Sequence, residues 1–71
     1  MKARIEALKV EVSTMDVMFG GWETCLFHDN KHSWVTQRYA NQAQAIEGHN
    51  ITVAALMGYA EVIKTKEERN K

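Results

Sequence analysis

Two stretches of alternating apolar and polar residues in the middle of the chain predict a β-hairpin. Residues 22–28 (WETCLFH) and 34–40 (WVTQRYA) both change character at every second position, which is the period of a pleated strand. The polar connection Asp29 to Ser33 has a length usual for a hairpin. Asn41 and Gln44 follow at the spacing with which side chains satisfy free amides at a helix start. The pattern therefore predicts a hairpin that leads directly into a helix.

A further strand is predicted before the hairpin. Apolar side chains occupy alternate positions from 8 to 12 and again, in the opposite phase, from 15 to 19. The change of phase indicates a bulge or bend between the two segments. A short helix over residues 3–10 is the alternative, and we favour the strand. Gly20 and Gly21 then predict a tight two-residue turn, because glycine readily adopts the positive φ angles of such turns.

Three strands, at about residues 7–19, 22–28 and 34–40, would form an antiparallel meander. In this register Trp22, Trp34 and Arg38 share one face. Glu23 lies on the other face, so an ion pair between Glu23 and Arg38 is not expected. An antiparallel sheet that is open to water on one side normally has one polar face. Neither face of the predicted sheet is polar.

A long helix is predicted from residue 42 to about residue 65, because apolar residues recur at spacings of three and four. Gly58 is a position where it would end or bend. Such a helix is about 36 Å long, whereas a seven-residue strand spans about 23 Å. The excess carries Leu56, Tyr59 and Ile63, which we expect at a subunit interface. The predicted fold is one α+β domain over residues 1–71, three strands followed by one helix.

Composition favours a small protein that associates with itself. A chain of 71 residues buries a modest core, and its single cysteine cannot form an internal disulfide. Nine basic and nine acidic residues cancel, which argues against nucleic acid as a partner. The longest apolar run is too short to cross a bilayer, and no secretion signal is present. We therefore expect a cytoplasmic homodimer or larger oligomer without a membrane segment.

Catalytic and metal chemistry have weak support in the sequence. A zinc site would need Cys25, His28, His32 and His49, but Cys25 and His28 point to opposite faces of one strand. A Cys25/His49 nucleophile pair would need an electropositive pocket, which the sequence does not show. Gly48 is expected to let the helix approach the sheet, with His49 hydrogen-bonded at the core edge. We predict no enzyme, metal or cofactor.

The shared face of Trp22, Trp34 and Arg38 is the predicted site for a partner. Tryptophan and arginine are enriched at the energetic centres of protein interfaces, and they also stack on bases or planar ligands. Packing in the core, a protein interface and a nucleic-acid or small-ligand site all remain open as explanations. A metal-binding or cysteine-dependent enzyme is a second alternative.

Three short motifs resemble those of small, mostly uncharacterised proteins of tailed phages and prophages. These proteins have an aromatic-E-T-x-x-F strand, an R-Y strand end and a helix with an A-x-x-G-H pattern. The matching segments are Gly21 to Phe27, Gln37 to Tyr39 and Ala43 to His49. The less acidic helix start and the long continuation after His49 differ from the usual pattern. The resemblance implies a phage accessory protein in the bacterial cytoplasm that binds and disables a host factor, including defence systems, with no particular activity attached.

Overall fold

The computed structural model describes residues 1–29 and 31–69. It has an α+β fold, in which four antiparallel strands in the order β1-β2-β3-β4 precede one long helix. The elements are β1 (Lys2–Ile5), β2 (Val10–Val17), β3 (Gly21–His28), β4 (His32–Tyr39) and α1 (Gln42–Arg69). The predicted arrangement of an antiparallel sheet followed by a long helix is confirmed. The predicted number of strands, three, is wrong.

Only β2 falls within the strand predicted at residues 7–19; β1 lies before it, and a tight reversal joins the two. A single 3-10 turn at Glu6–Leu8 and a left-handed Lys9, with φ of 54°, turn the chain so that Ile5 lies opposite Val10. The reversal contains neither glycine nor proline, which are the residues that normally mark a turn. β1 is four residues long, too short to show a clear alternation. Both strand and turn therefore escaped the sequence pattern.

The turn between β2 and β3 is one residue longer than predicted. Met18–Gly20 forms it, Gly21 already belongs to β3, and Asp16 lies opposite Trp22. The predicted two-residue turn with Phe19 opposite Trp22 is therefore wrong. The positive φ angles occur at Phe19 and Gly20. Because the register moves by an odd number of residues, Trp22 shares its face with Val12 and Thr14 instead of Met15 and Val17.

A β-bulge in β4 changes which side chains share a face. Thr24 lies opposite Gln37 but Cys25 lies opposite Val35, so Thr36 is an additional residue on β4. Because of this extra residue, the side chains of β4 that follow Thr36 point to the opposite face from the one that strict alternation would give them. Trp34 consequently lies on the same face as Trp22, and Arg38 lies on the opposite face beside Glu23. The prediction that Trp22, Trp34 and Arg38 share a face is correct for the tryptophans and wrong for Arg38.

α1 begins as the sequence predicts and ends later. The amide of Gln44 donates to Asn41 Oδ1 at 2.9 Å, and Gln44 Oε1 accepts from the amide of Ala40 at 3.2 Å. The helix continues through Gly58 to Arg69, four residues beyond the predicted end. The turn position Asn30 and the chain end, Asn70 and Lys71, lie outside the described residues.

The helix crosses one face of the sheet diagonally. It passes Tyr39 of β4 at Gly48 and Thr14 of β2 at His49. It then forms a groove with residues 3–7, in and just after β1. With 28 residues it is about 42 Å long, so its distal part extends beyond the sheet. The apolar core is small; its buried members are Ile5, Val10, Val12, Cys25, Tyr39 and Ala45.

Candidate partner-binding surfaces

His49 is the only titratable residue of α1 that is buried against the sheet. Its side chain belongs to a chain of hydrogen bonds. His49 Nδ1 lies 2.7 Å from Thr14 Oγ1, which lies 2.6 Å from Thr24 Oγ1, and Thr24 Oγ1 lies 3.0 Å from the Tyr39 hydroxyl. All four side chains are buried. With a neutral imidazole, donation in one direction from Tyr39 to His49 satisfies every one of these contacts. The prediction of a hydrogen-bonded His49 at the core is confirmed.

Gly48 allows this network to form. The ring of Tyr39 lies directly against the Gly48 backbone, so a Cβ atom at residue 48 would collide with the ring and hydroxyl of Tyr39. The predicted close approach of helix and sheet at this glycine is confirmed. Tyr39 thereby reaches Thr24 while its ring is covered by the helix.

His49 and Cys25 are held apart by the sheet. Thr24 directs its hydroxyl towards the helix, so its neighbour Cys25 points to the other face. Burial, with a smaller effect of the Met1 amino group, lowers the pKa of His49. Burial and the nearby Glu23 raise the pKa of the Cys25 thiol, which disfavours the reactive thiolate. The conceivable Cys25/His49 nucleophile pair is therefore not assembled.

The face of the sheet away from the helix holds a small polar cluster. Arg38 Nε lies 3.4 Å from Glu23 Oε2, and the Cys25 thiol donates to Glu23 Oε1 at 3.7 Å. The expectation that Glu23 and Arg38 do not pair is wrong, because the bulge at Thr36 brings Arg38 to the same face as Glu23. The Arg38 side chain is 79% exposed and the Glu23 side chain 19%. Arg38 therefore remains accessible to another molecule.

The candidate zinc ligands do not converge. His28 lies opposite His32 at the β3–β4 turn, Cys25 points to the far face, and His49 is buried by Thr14. Within residues 1–29 and 31–69, no group of three or more His, Cys, Asp or Glu side chains comes together in a way that would hold a metal ion.

The two predicted aromatic contact residues differ in accessibility. Trp22 is half-buried beside Tyr39, whereas Trp34 is 48% exposed. The diagonal course of the helix explains the difference, because it starts near the Tyr39 end of the sheet and leaves the corner at the β3–β4 turn uncovered. Trp34 and Arg38 thus belong to the same strand, β4, but project from its two faces. A single flat ligand cannot stack on all three predicted residues.

Apolar side chains that the sequence did not single out lie on the helix-free face. Met15 and Val35 are exposed and Val17 and Phe27 are half-exposed there, and we call these four residues the open face. Phe19 in the adjoining turn is fully exposed. The absence of a polar strand face was the signal for this surface, but the incorrect register assigned its residues to different faces.

Residues 51–63, in the middle and distal half of α1, expose several apolar side chains. Leu56 and Ile63 are half-buried and Tyr59 is 59% exposed. Ile51, Met57 and Val62 are exposed as well. Between Ile51 and Ile63 the only charged residue is Glu61. Of the three predicted interface residues, Tyr59 is therefore on an uncovered part of the helix, whereas Leu56 and Ile63 are partly covered.

No helix in the described part of the chain combines the length and the apolar character that crossing a membrane requires.

Comparison of the chain with protein-family models, with curated proteins and with solved structures gives no match.

Proposed function

We propose that this chain is a non-catalytic protein-binding module that associates with itself through the distal half of α1. The observation that carries the proposal is the segment Ile51–Ile63, which is mostly apolar and has Glu61 as its only charged residue. A helix of that kind is normally buried. Here Ile51 is 62% exposed and Val62 is 58% exposed. A second protein surface is the simplest cover for this segment.

The two sides of the segment have different surroundings. Val53, Leu56, Ala60 and Ile63 lie on the side that continues from His49 towards the sheet, and all are half-buried. The opposite side carries Ile51, Ala55, Gly58 and Val62 at spacings of four, three and four, and all are exposed. The chain's own sheet thus covers only one side. A second copy supplies apolar surface of the same kind to the other.

The small core also supports self-association. Folded chains of this size bury only about 60% of the surface that the unfolded chain exposes, so they are often marginally stable alone. Two of the largest fully buried side chains are threonines, Thr14 and Thr24, and among the described residues only six hydrophobic ones are buried. Covering the distal helix would add apolar burial where the monomer has least.

The phage resemblance supports the second part of the proposal, a host protein as the other partner. The residues that carry it form two contacts in this fold: Glu23 pairs with Arg38, and Thr24 and Tyr39 join His49 beside Gly48. These motif residues therefore stabilise the fold, and of them Arg38 is also exposed to a partner. We propose a phage-encoded accessory protein that acts in the bacterial cytoplasm by occupying the surface of a host factor, including components of defence systems.

Sedimentation at micromolar concentration tests self-association. The wild-type chain of 8.1 kDa should sediment with at least twice that mass. A Tyr59→Glu, Val62→Glu double variant should sediment as a monomer, because both side chains are exposed in the single chain and charges in an apolar interface are costly. Asn50→Glu places a charge on an exposed polar position of the same helix and should leave the mass unchanged. A wild-type monomer at these concentrations would contradict the proposal.

Affinity capture from bacterial lysate tests the host partner. The wild-type protein should retain a host protein that a Trp34→Ala, Arg38→Ala double variant loses, while Asn50→Glu retains it. If the same proteins are captured by all three, these two side chains are not contact residues.

A further inference from the structure

The strand β4 is a long edge of the sheet, interrupted by the bulge at Thr36. It is last in the strand order, it has eight residues, and all of them except Tyr39 are exposed. A strand paired on one side only directs every second N–H and C=O away from its neighbour, where another strand can bind. The other edge, β1, has four residues. The chain has no proline to block either edge.

Both faces of β4 have exposed side chains that a partner can contact. Trp34 projects from the helix side, and Val35 and Arg38 project from the open face. An added strand alternates its side chains between both faces of a sheet, so it contacts residues on both sides at once. A globular surface or a flat ligand that docks on one face contacts only one of these sets.

A groove continues the edge at the Tyr39 end. It has a volume of about 360 Å³ and lies between β4 and the helix, with Gln37, Arg38, Tyr39, Gln44, Glu47 and Ile51 among its lining residues. Ile51 provides an exposed apolar wall. One side chain of an added strand, on the helix side, fits this groove.

Charge and register decide the occupant. The charged side chains of β4 and its preceding turn residue are Arg38 and Lys31. Arg38 pairs with Glu23, but its side chain is 79% exposed and has further donors for a second carboxylate. Glu47 lines the groove, so the side chain that enters the groove is an uncharged one.

A second copy paired antiparallel about Val35 would place Arg38 opposite His32 of the partner, and both strands would carry their bulge at Thr36 in the same region. An acidic segment of a different polypeptide would place carboxylates, in place of His32, opposite Arg38. It would also have no bulge to meet the one at Thr36.

We propose that β4 binds an extended, acidic segment of a partner protein as a fifth strand of the sheet. The inference rests on the proposed protein-binding function and names the site and the form of the partner. The segment alternates apolar residues with glutamate or aspartate, so that its carboxylates lie near Arg38 and Lys31.

Two synthetic peptides test the inference with the isotope-labelled full chain. One alternates valine and glutamate over eight residues, and the other replaces each glutamate by lysine. The acidic peptide should shift the amide resonances of β4 and slow hydrogen exchange at those amides of β4 that point away from β3. The basic peptide should bind about tenfold more weakly, as expected for two partly exposed charge contacts.

Charge variants complete the test. Lys31→Glu with Arg38→Glu should reverse the peptide preference, whereas Lys64→Glu with Lys66→Glu, the same change in charge on the helix, should preserve it. Resonance shifts confined to the open face or to α1, no shift at millimolar peptide, or β4 paired with a second copy in the free protein would overturn the inference. Helix-mediated dimerisation without a response at β4 would remove this inference alone. A response at β4 in a monomeric chain would instead remove the self-association proposal.

Discussion

Gly48 is the residue that sets the distance between helix and sheet. Its missing side chain leaves room for the Tyr39 ring, and Tyr39 in turn reaches the Thr24 hydroxyl. Glycine in a helix interior costs about 1 kcal/mol relative to alanine. Glycine is needed here because the Cβ atom of any other residue would prevent the close approach of the helix backbone and the Tyr39 ring.

Alanine at the two helical glycines should have opposite effects. Gly48→Ala should lower the free energy of unfolding by about 3 kcal/mol, because its Cβ would overlap the Tyr39 ring. Gly58 faces open space, so Gly58→Ala should raise the free energy by about 0.5 to 1 kcal/mol through helix propensity. Urea unfolding at one fixed protein concentration measures both. Equal effects would show that Tyr39 does not occupy the space beside residue 48.

Phe19 is a strained and fully exposed residue. It adopts φ of 69° and ψ of 31°, the left-handed region that large side chains avoid. It loses all contact with the core, since its side chain is entirely exposed. Nothing in the fold itself requires phenylalanine at this turn, which fits a role in contact with a partner.

Asparagine at residue 19 should therefore stabilise the isolated protein. Phe19→Asn should raise the free energy of unfolding by about 1 kcal/mol, because asparagine tolerates this backbone conformation. Met18→Asn changes the neighbouring exposed residue, which has no positive φ, and should stay within about 0.5 kcal/mol of the wild type. Thermal unfolding of the two variants provides the measurement. A gain for Met18→Asn equal to that of Phe19→Asn would exclude backbone strain as the cause.

At the scale of elements, the hydrogen-bond chain connects three strands and the helix. Thr14 belongs to β2, Thr24 to β3, Tyr39 to β4 and His49 to α1. These groups are buried, so each must keep a partner, and shifting any one element would leave another group without one. The chain of bonds therefore specifies the position of α1 on a sheet whose apolar core is small.

The stability of this arrangement should fall as the pH falls through about 6.5. Burial lowers the pKa of His49 below its ordinary value of 6.5, so the unfolded chain binds a proton more readily than the folded one. The contribution of His49 to the free energy of unfolding is complete above pH 6.5. Below pH 6.5 it decreases until the pH reaches the pKa of His49 in the folded chain. Urea midpoints at pH 7.5 and pH 5 should show the decrease, and His49→Gln should reduce it. An unchanged pH dependence in that variant would assign the effect to other groups.

At the scale of the whole molecule, helix and sheet do not match in length. The described residues extend 51 Å along their longest axis and 24 Å and 14 Å along the other two. The sheet covers only one side of α1 beyond Ile51. The other side exposes apolar residues up to Val62, which is consistent with a protomer that is completed by another chain.

Thermal stability should consequently depend on protein concentration. Association of folded chains shifts the folding equilibrium away from the unfolded state. A hundredfold increase in protein concentration should therefore raise the free energy of unfolding by on the order of 1 kcal/mol per chain. For a chain of this size the melting temperature should rise by about 5 °C. The Tyr59→Glu, Val62→Glu double variant should show no such rise. A wild-type melting temperature that is independent of concentration would contradict association in the folded state.

Local signals predicted the elements that depend on neighbouring residues. The cap formed by Asn41 and Gln44, the helix after it and the strands around Cys25 and Val35 follow from side-chain spacing alone. The turn at Glu6–Leu8 was missed because its left-handed residue is Lys9, which carries no turn signal. The candidate contact residue Arg38 was placed on the wrong face because the bulge at Thr36 depends on pairing with β3.

The amino-acid sequence by itself determined the class of the fold, the start of the helix, the close approach at Gly48 and an excess of apolar side chains over what one small chain covers. Only the tertiary structure decided the number of strands, the partners of Glu23 and His49, and the face on which each side chain of β4 lies. The physical reason is that propensity and periodicity act between near neighbours, whereas register is set by contacts between distant strands. A shift of one residue in that register moves every side chain of a strand to the other face.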